Sequence, residues 1–171
     1  MNTTIALLCG LPYVGKSTLL QESNEPYASM DDFLQARYKT SRQQTIDIKM
    51  AIERPAVFKD FAEMAVKKAS ESNAKTFWIE GMFTTKDERL EMKQALENAG
   101  AGKVGCLFLV NVKMSELFDR CQNSKKQFKC SMVDLMKRAQ SATIPDASEG
   151  FKWIEILQPL RKSLREDKKW K

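Results

Sequence analysis

The stretch Gly10-Leu11-Pro12-Tyr13-Val14-Gly15-Lys16-Ser17-Thr18 decides the fold, because it matches GxxxxGK[ST] at every fixed position. The glycines let the backbone bend around an anion through conformations that a side chain would obstruct, so that consecutive N–H groups point at phosphate oxygens. Lys16 is expected to neutralise the β and γ oxygens of a nucleoside triphosphate, and Ser17 to ligate Mg2+. A helix beginning at the end of the motif would add the positive end of its dipole. From average residue usage, a chance match in a chain this long has a probability of roughly one in two hundred.

Upstream, Thr4 to Cys9 (TIALLC) is a short apolar run ending at a glycine, the pattern of a buried parallel strand. Downstream, the loop turns into a helix through Leu20, and Tyr27 to Met30 reads as a weak second strand after Pro26, followed by polar residues from Asp31. Val57, Phe58, Phe61, Ala62, Ala65 and Val66 recur at helical spacing, with Pro55 in the first turn. Thr76 to Ile79 is a third strand ending at Glu80 and Gly81. Thr85 and Glu88 have capping-box spacing for a helix from about Lys86 to Gly100. Val104 to Val112 is the clearest strand, Glu116 to Cys121 and Ser131 to Ala139 are helices, and Trp153 to Leu157 is a last strand. Lys125 to Lys129 reads as a basic loop within a lid at about 122–131, and the tail at about 158–171 as a basic helix.

Five apolar runs alternating with helical segments predict a single α/β domain over 1–171, a five-stranded parallel sheet with helices on both faces and a basic lid. Ligands of such sheets bind beyond the carboxyl ends of the strands. Gly10 follows the first strand, Asp31 the second and Glu80 the third, so topology and residue type agree.

The wider composition bounds the class. A hydrophobic share of 43% with 29% charged residues is that of an ordinary globular protein. No apolar run approaches the roughly 20 residues that span a bilayer, and Ile5 to Val14 has no basic residue ahead of it, so a cytoplasmic protein is expected. Cys9, Cys106, Cys121 and Cys130 are widely spaced and read as reduced thiols. The chain has no histidine, which removes imidazole as base or metal ligand and leaves carboxylates or lysines for proton transfer. Net charge is +6, concentrated between Lys113 and Arg138 and again between Arg161 and Lys171. Such stretches are either solvated helix faces or contacts for a phosphate-rich partner.

Binding a triphosphate leaves several functions open. A switch-type GTPase would need NKxD after a later strand, and Asn111-Val-Lys-Met lacks the aspartate; a motor-type ATPase usually carries a second domain. A small kinase remains. Asp31 would accept the proton of an attacking hydroxyl, and Asp32 beside it would cap the following helix. Glu80 either holds Mg2+ through water, orients a basic lid residue, or is a solvated strand-end carboxylate. Arg120, Lys125 and Lys126 are the candidate lid cations, since transfer spreads negative charge that mobile cations stabilise.

With those residues in place the chain resembles the polynucleotide 5′-kinases of the phage and bacterial end-healing type and the wider group of small P-loop kinases, over roughly Thr4 to Leu157. Gly10 to Thr18 is similar to the family's phosphate loop, and Ser29-Met-Asp31-Asp32-Phe to its base segment, which implies Asp31 as general base. Ser115-Glu-Leu-Phe-Asp-Arg120 looks like the helix leading into the lid, with Arg120 in place of a nucleotide-contacting arginine, and Glu149-Gly150-Phe151 like the element that closes the fold. Two positions depart. Leu34 stands where the polynucleotide kinases carry an arginine for the neighbouring phosphate, with Arg37 one turn beyond as a partial substitute; Ser124, Lys125 and Lys126 replace the lid's second arginine.

The expectation is therefore an ATP- and Mg2+-dependent kinase whose acceptor is a hydroxyl of DNA or RNA, either a 5′-OH end or a hydroxymethylated base. A small-molecule acceptor (nucleoside, nucleotide, sugar or antibiotic) and a nucleotide-binding regulatory module are the alternatives. Trp153 is read as core, and Met132, Leu135 and Met136 as one packed helix face.

Overall fold

The computed structural model describes residues 3–110, 113–124 and 130–158. Its strands are β1 (Thr4–Cys9), β2 (Tyr27–Ser29), β3 (Thr76–Glu80), β4 (Val104–Leu109) and β5 (Ile154–Leu157). Its helices are α1 (Lys16–Ser23), α2 (Met30–Tyr38), α3 (Gln43–Glu71), α4 (Lys86–Asn98), α5 (Met114–Gln122) and α6 (Met132–Ser141), with a single 3-10 turn at Ala147–Glu149. The strands form one parallel sheet in the order β2-β3-β1-β4-β5.

Alternation along the strands divides the core into two layers, as the period of two demands. Ile5, Leu7, Cys9, Val104, Cys106 and Phe108 point into one layer, which α2, α3 and α4 cover with Leu34, Phe58, Phe61, Ala65, Met92 and Leu96. Leu8, Leu107 and Leu109 point into the other, covered by Leu20, Leu117 and Leu135 of α1, α5 and α6. Helices thus lie on both faces, as expected. The α4 cap is also the one predicted: the Thr85 hydroxyl accepts from the Glu88 N–H, and the Glu88 carboxylate accepts from the Thr85 N–H.

Three readings are corrected. The helix placed at Val57 to Val66 is a 29-residue helix, and Pro55 lies in its interior, not its first turn. Proline there removes the bond to the carbonyl of Ala51, and Ala51 and Pro55 both lie on the exposed side of the helix. Seven buried side chains from Ile46 to Ala69 hold the helix on both sides of the break. Asp32 is not a cap. Ser29, in extended conformation, caps α2 by accepting from the Asp32 N–H, and Asp31 and Asp32 are both helical residues of the first turn, where the dipole favours acids. On α6 only Leu135 is buried; Met132 is 45% and Met136 48% exposed. Trp153 is half-buried, edge-on to Trp78. The end of the predicted strand at 111–112, the basic loop with Lys125 and Lys126, and the tail helix lie outside the described residues.

Candidate active site

The phosphate loop starts at the carboxyl end of β1. Gly10 has φ +151°, and a Cβ there would lie 3.0 Å from Val14 Cγ1 and 3.1 Å from the Leu109 carbonyl, so a side chain would push the loop off β4. The Gly10 N–H donates to the Met82 carbonyl at 2.9 Å, tying the loop to the segment after β3. Lys16 is buried, its Nζ donating to the carbonyls of Gly10 (2.7 Å) and Leu11 (2.9 Å), so the charge is held over the mouth of the loop.

The strand register places the remaining groups. Leu8 of β1 is level with Glu80 of β3, and Glu80 is level with Ser29 of β2. With neighbouring strands about 4.8 Å apart, the helix that carries Asp31 in its first turn begins roughly 10 Å across the sheet edge from the phosphate loop. Glu80, midway, accepts a 2.6 Å hydrogen bond from the Ser17 hydroxyl. A hydroxyl and a carboxylate are the hard oxygen ligands Mg2+ takes, and Mg2+ at phosphoryl-transfer sites is held by one or two protein oxygens plus substrate phosphates. Ser17 and Glu80 are oxygen donors of that kind, held together at the end of β3.

Arg120, near the end of α5, lies against the loop. Its Nη1 donates to the carbonyls of Tyr13 (3.0 Å) and Val14 (3.3 Å), while Glu116 one turn earlier accepts from Nη2 at 2.8 Å. Tyr13 is half-buried, and burial together with a hydrogen bond to the Cys121 thiol pushes its phenol up to about 12. Below the loop, burial raises the Cys9 thiol, whose Sγ is 3.8 Å from that of Cys106, so Cys9 is a neutral core residue.

The other side of the sheet edge is walled by helices. At 1.5 Å per residue α3 runs about 43 Å, whereas a six-residue strand runs roughly 20 Å, so the amino-terminal half of α3 overhangs the carboxyl ends of the strands. There Asp47 accepts from Arg138 of α6 at 3.3 Å, and Arg138 also reaches the Met82 sulfur at 3.2 Å. Arg37 is not turned toward the sheet edge: its guanidinium donates to Asp60 of α3 at 2.6 Å, and Tyr38 donates to Glu53 at 2.8 Å. Leu34 is buried core.

A pair that the sequence did not announce holds this wall. Arg89 of α4 and Glu149 of the 3-10 turn are both wholly buried and make two bonds, 2.8 Å and 2.7 Å, with further donations from Arg89 to the carbonyls of Phe83, Thr84 and Thr143. Burial works against the Arg89 charge, and the bonds and charge of Glu149 outweigh it, raising its pKa. Arg89 falls one position after the capping glutamate, at a buried position of an amphipathic helix, which is the one local clue to it.

A phosphate loop after β1 of a sheet in this strand order defines the fold of the P-loop kinases. Among solved structures the chain is similar to a sugar kinase from Janibacter sp. HTCC2649, at 16% identity over 91% of this chain and 85% of that one, TM-score 0.65. It is also similar to a putative kinase from Chloroflexus aurantiacus (17%, 92% and 85%, TM-score 0.60) and to a tunicamycin resistance protein from Deinococcus radiodurans (11%, 90% and 86%, TM-score 0.58). At these identities the likeness is one of fold. No protein-family model matches the chain, and no curated protein matches it. Among the described residues no helix is long and apolar enough to cross a membrane.

Proposed function

We propose that this chain is an ATP- and Mg2+-dependent phosphotransferase that acts on a hydroxyl. The observation that carries the reading is the Ser17–Glu80 bond, which joins the phosphate loop to β3 at the level from which Asp31 departs on β2. Lys16 and Arg120 stabilise the charge that develops as the acceptor oxygen bonds to the γ-phosphorus and the bond to the β,γ-bridging oxygen breaks, ADP leaving with the electron pair. The Asp31 carboxylate, exposed at the start of α2, receives the acceptor's proton. Mg2+, held by Ser17 with Glu80, supplies further charge neutralisation at the β and γ oxygens when bound.

For the acceptor, the charges on the far wall speak for a small alcohol without phosphates. Arg37 is neutralised by Asp60, Arg138 by Asp47, and Asp31 and Asp32 are exposed acids. Two of the structures the chain resembles, a sugar kinase and a tunicamycin resistance protein, support the same class. A second reading, a nucleic-acid hydroxyl, is favoured by the basic residues at 125–129 and 161–171. Transfer of γ-labelled phosphate from ATP to a panel of sugars, nucleosides, antibiotics, 5′-hydroxyl oligonucleotides and hydroxymethyluracil duplex separates them. The expected result is label on a small alcohol at a rate that hardly changes between about 50 and 200 mM salt. Label only on nucleic acid, falling steeply with salt, moves the acceptor to the second reading; label on nothing overturns the phosphotransferase.

A further inference from the structure

Within the phosphate loop, Tyr13 has no part in the chemistry above, yet it is the loop's strained residue. Its φ is +64°, in the left-handed region that side chains other than glycine and asparagine rarely enter. Such a conformation persists only where the surroundings over-determine it, and it gathers at functional sites. Both polar groups of Tyr13 are engaged. Its carbonyl accepts from Arg120 Nη1 at 3.0 Å, and its phenolic oxygen accepts from the Cys130 N–H at 3.2 Å, just before α6. The ring packs against the core layer that contains Val14, Leu117, Cys130 and Leu135.

The same arginine that grips Tyr13 also takes the Val14 carbonyl at 3.3 Å. In a trans peptide the C=O and the next N–H point in opposite directions. A guanidinium on the carbonyls of Tyr13 and Val14 therefore turns the N–H groups of Val14 and Gly15 away from α5, and the Val14 N–H donates within the loop to the Leu11 carbonyl at 3.4 Å. Three elements meet on one residue: the loop, α5 through Arg120, and the entry to α6 through Cys130.

We propose that Tyr13 is a positioning residue, which holds Arg120 against the phosphate loop and fixes the peptide planes of the loop that receives the terminal phosphates of the nucleotide. This rests on the kinase reading for the identity of the ligand, but it is judged by binding, which needs no acceptor. Tyr13→Phe keeps the ring and removes the phenol's bonds to Cys130 and Cys121; Arg120→Lys keeps the charge and removes the fork.

The experiment measures the affinity of a non-hydrolysable ATP analogue with Mg2+ for the full chain, the two single variants and the double variant, alongside phosphate transfer by the unaltered protein. Each single variant should bind about tenfold more weakly, the worth of one hydrogen bond. The double variant should bind no more than about twofold more weakly than the poorer single, because the two residues act as one unit. Tyr13→Phe binding as tightly as the unaltered chain, or losses that multiply to about a hundredfold in the double variant, overturns the proposal, since a tyrosine that merely packs would be independent of Arg120. Tight binding of the analogue with no transfer to any acceptor counts against the kinase reading alone and leaves Tyr13 to be judged by the coupling.

Discussion

Around the phosphate loop the contacts are made largely by the backbone. Gly10 donates to Met82, Lys16 donates to two loop carbonyls, and Arg120 to two more. On the acceptor side they run from side chain to side chain: Arg37 to Asp60, Tyr38 to Glu53, Arg138 to Asp47, Arg89 to Glu149. The loop's own bends are written in a few adjacent residues, onto which Met82 and Arg120 close from afar, whereas these contacts of the wall are side-chain pairs whose members lie 15 to 91 positions apart. Under the proposed function the first region is the anion cradle, and the second is a wall of ion pairs between distant elements.

The largest effect that sharpens this contrast is expected at the wall's keystone. Arg89→Leu leaves Glu149 buried without its partner and should cost about 3–5 kcal/mol of stability, read as a lowered urea midpoint. A loss under about 1 kcal/mol would show that the pair is dispensable. Next, Lys16→Ala should lower the rate of transfer by about 10²–10³ with the urea midpoint little changed, because the lysine holds charge over the loop and contributes little core.

That difference in encoding also explains what could be read in advance. The strand before Gly10, the capped α4 and the parallel sheet follow from local patterns of period two and 3.6 and from residues three apart. Asp31 and Glu80 stand out in the sequence because they lie at strand ends, and the register sets the ends of β2 and β3 level. Of α2 only its presence after Asp32 is legible: its apolar residues Met30, Phe33 and Leu34 are few, and its start at Met30 and its cap, Ser29, are hidden behind the more conspicuous aspartates. The first half of α3 was missed because Pro55 reads as a start and because Ile48 and Ile52 face solvent, 65% and 78% exposed, which blurs the helical stripe. Arg138–Asp47 carries no local signal, and Arg89–Glu149 only the buried place of Arg89 on α4, since each pair exists only once distant elements have packed.

Smaller effects test the acceptor wall and the loop separately. Arg37→Gln removes an exposed ion pair worth no more than about 1 kcal/mol, and transfer should stay within about twofold; a larger fall would return Arg37 to the acceptor. The smallest is spectroscopic. A phenol held up to about 12 stays neutral where an ordinary tyrosine ionises near pH 10. Because the folded value is raised, the stability it contributes is fully present below about pH 10 and is lost as pH climbs through about 12. Absorbance titration of the three tyrosines should show a late step that Tyr13→Phe removes; an unchanged curve would place Tyr13 in solvent.

We propose that one edge of the sheet binds Mg2+–ATP at the loop and moves its γ-phosphoryl group to a hydroxyl activated by Asp31. The most direct test is a paired measurement on the unaltered chain and Asp31→Asn: the affinity for Mg2+–ATP and the rate of label transfer to the best acceptor. The expected result is affinity preserved within about twofold and transfer lowered by about 10²–10⁴, the range for a missing general base. Transfer that survives the substitution would contradict the assignment of the base, and with it the account of how the two halves of the molecule work together.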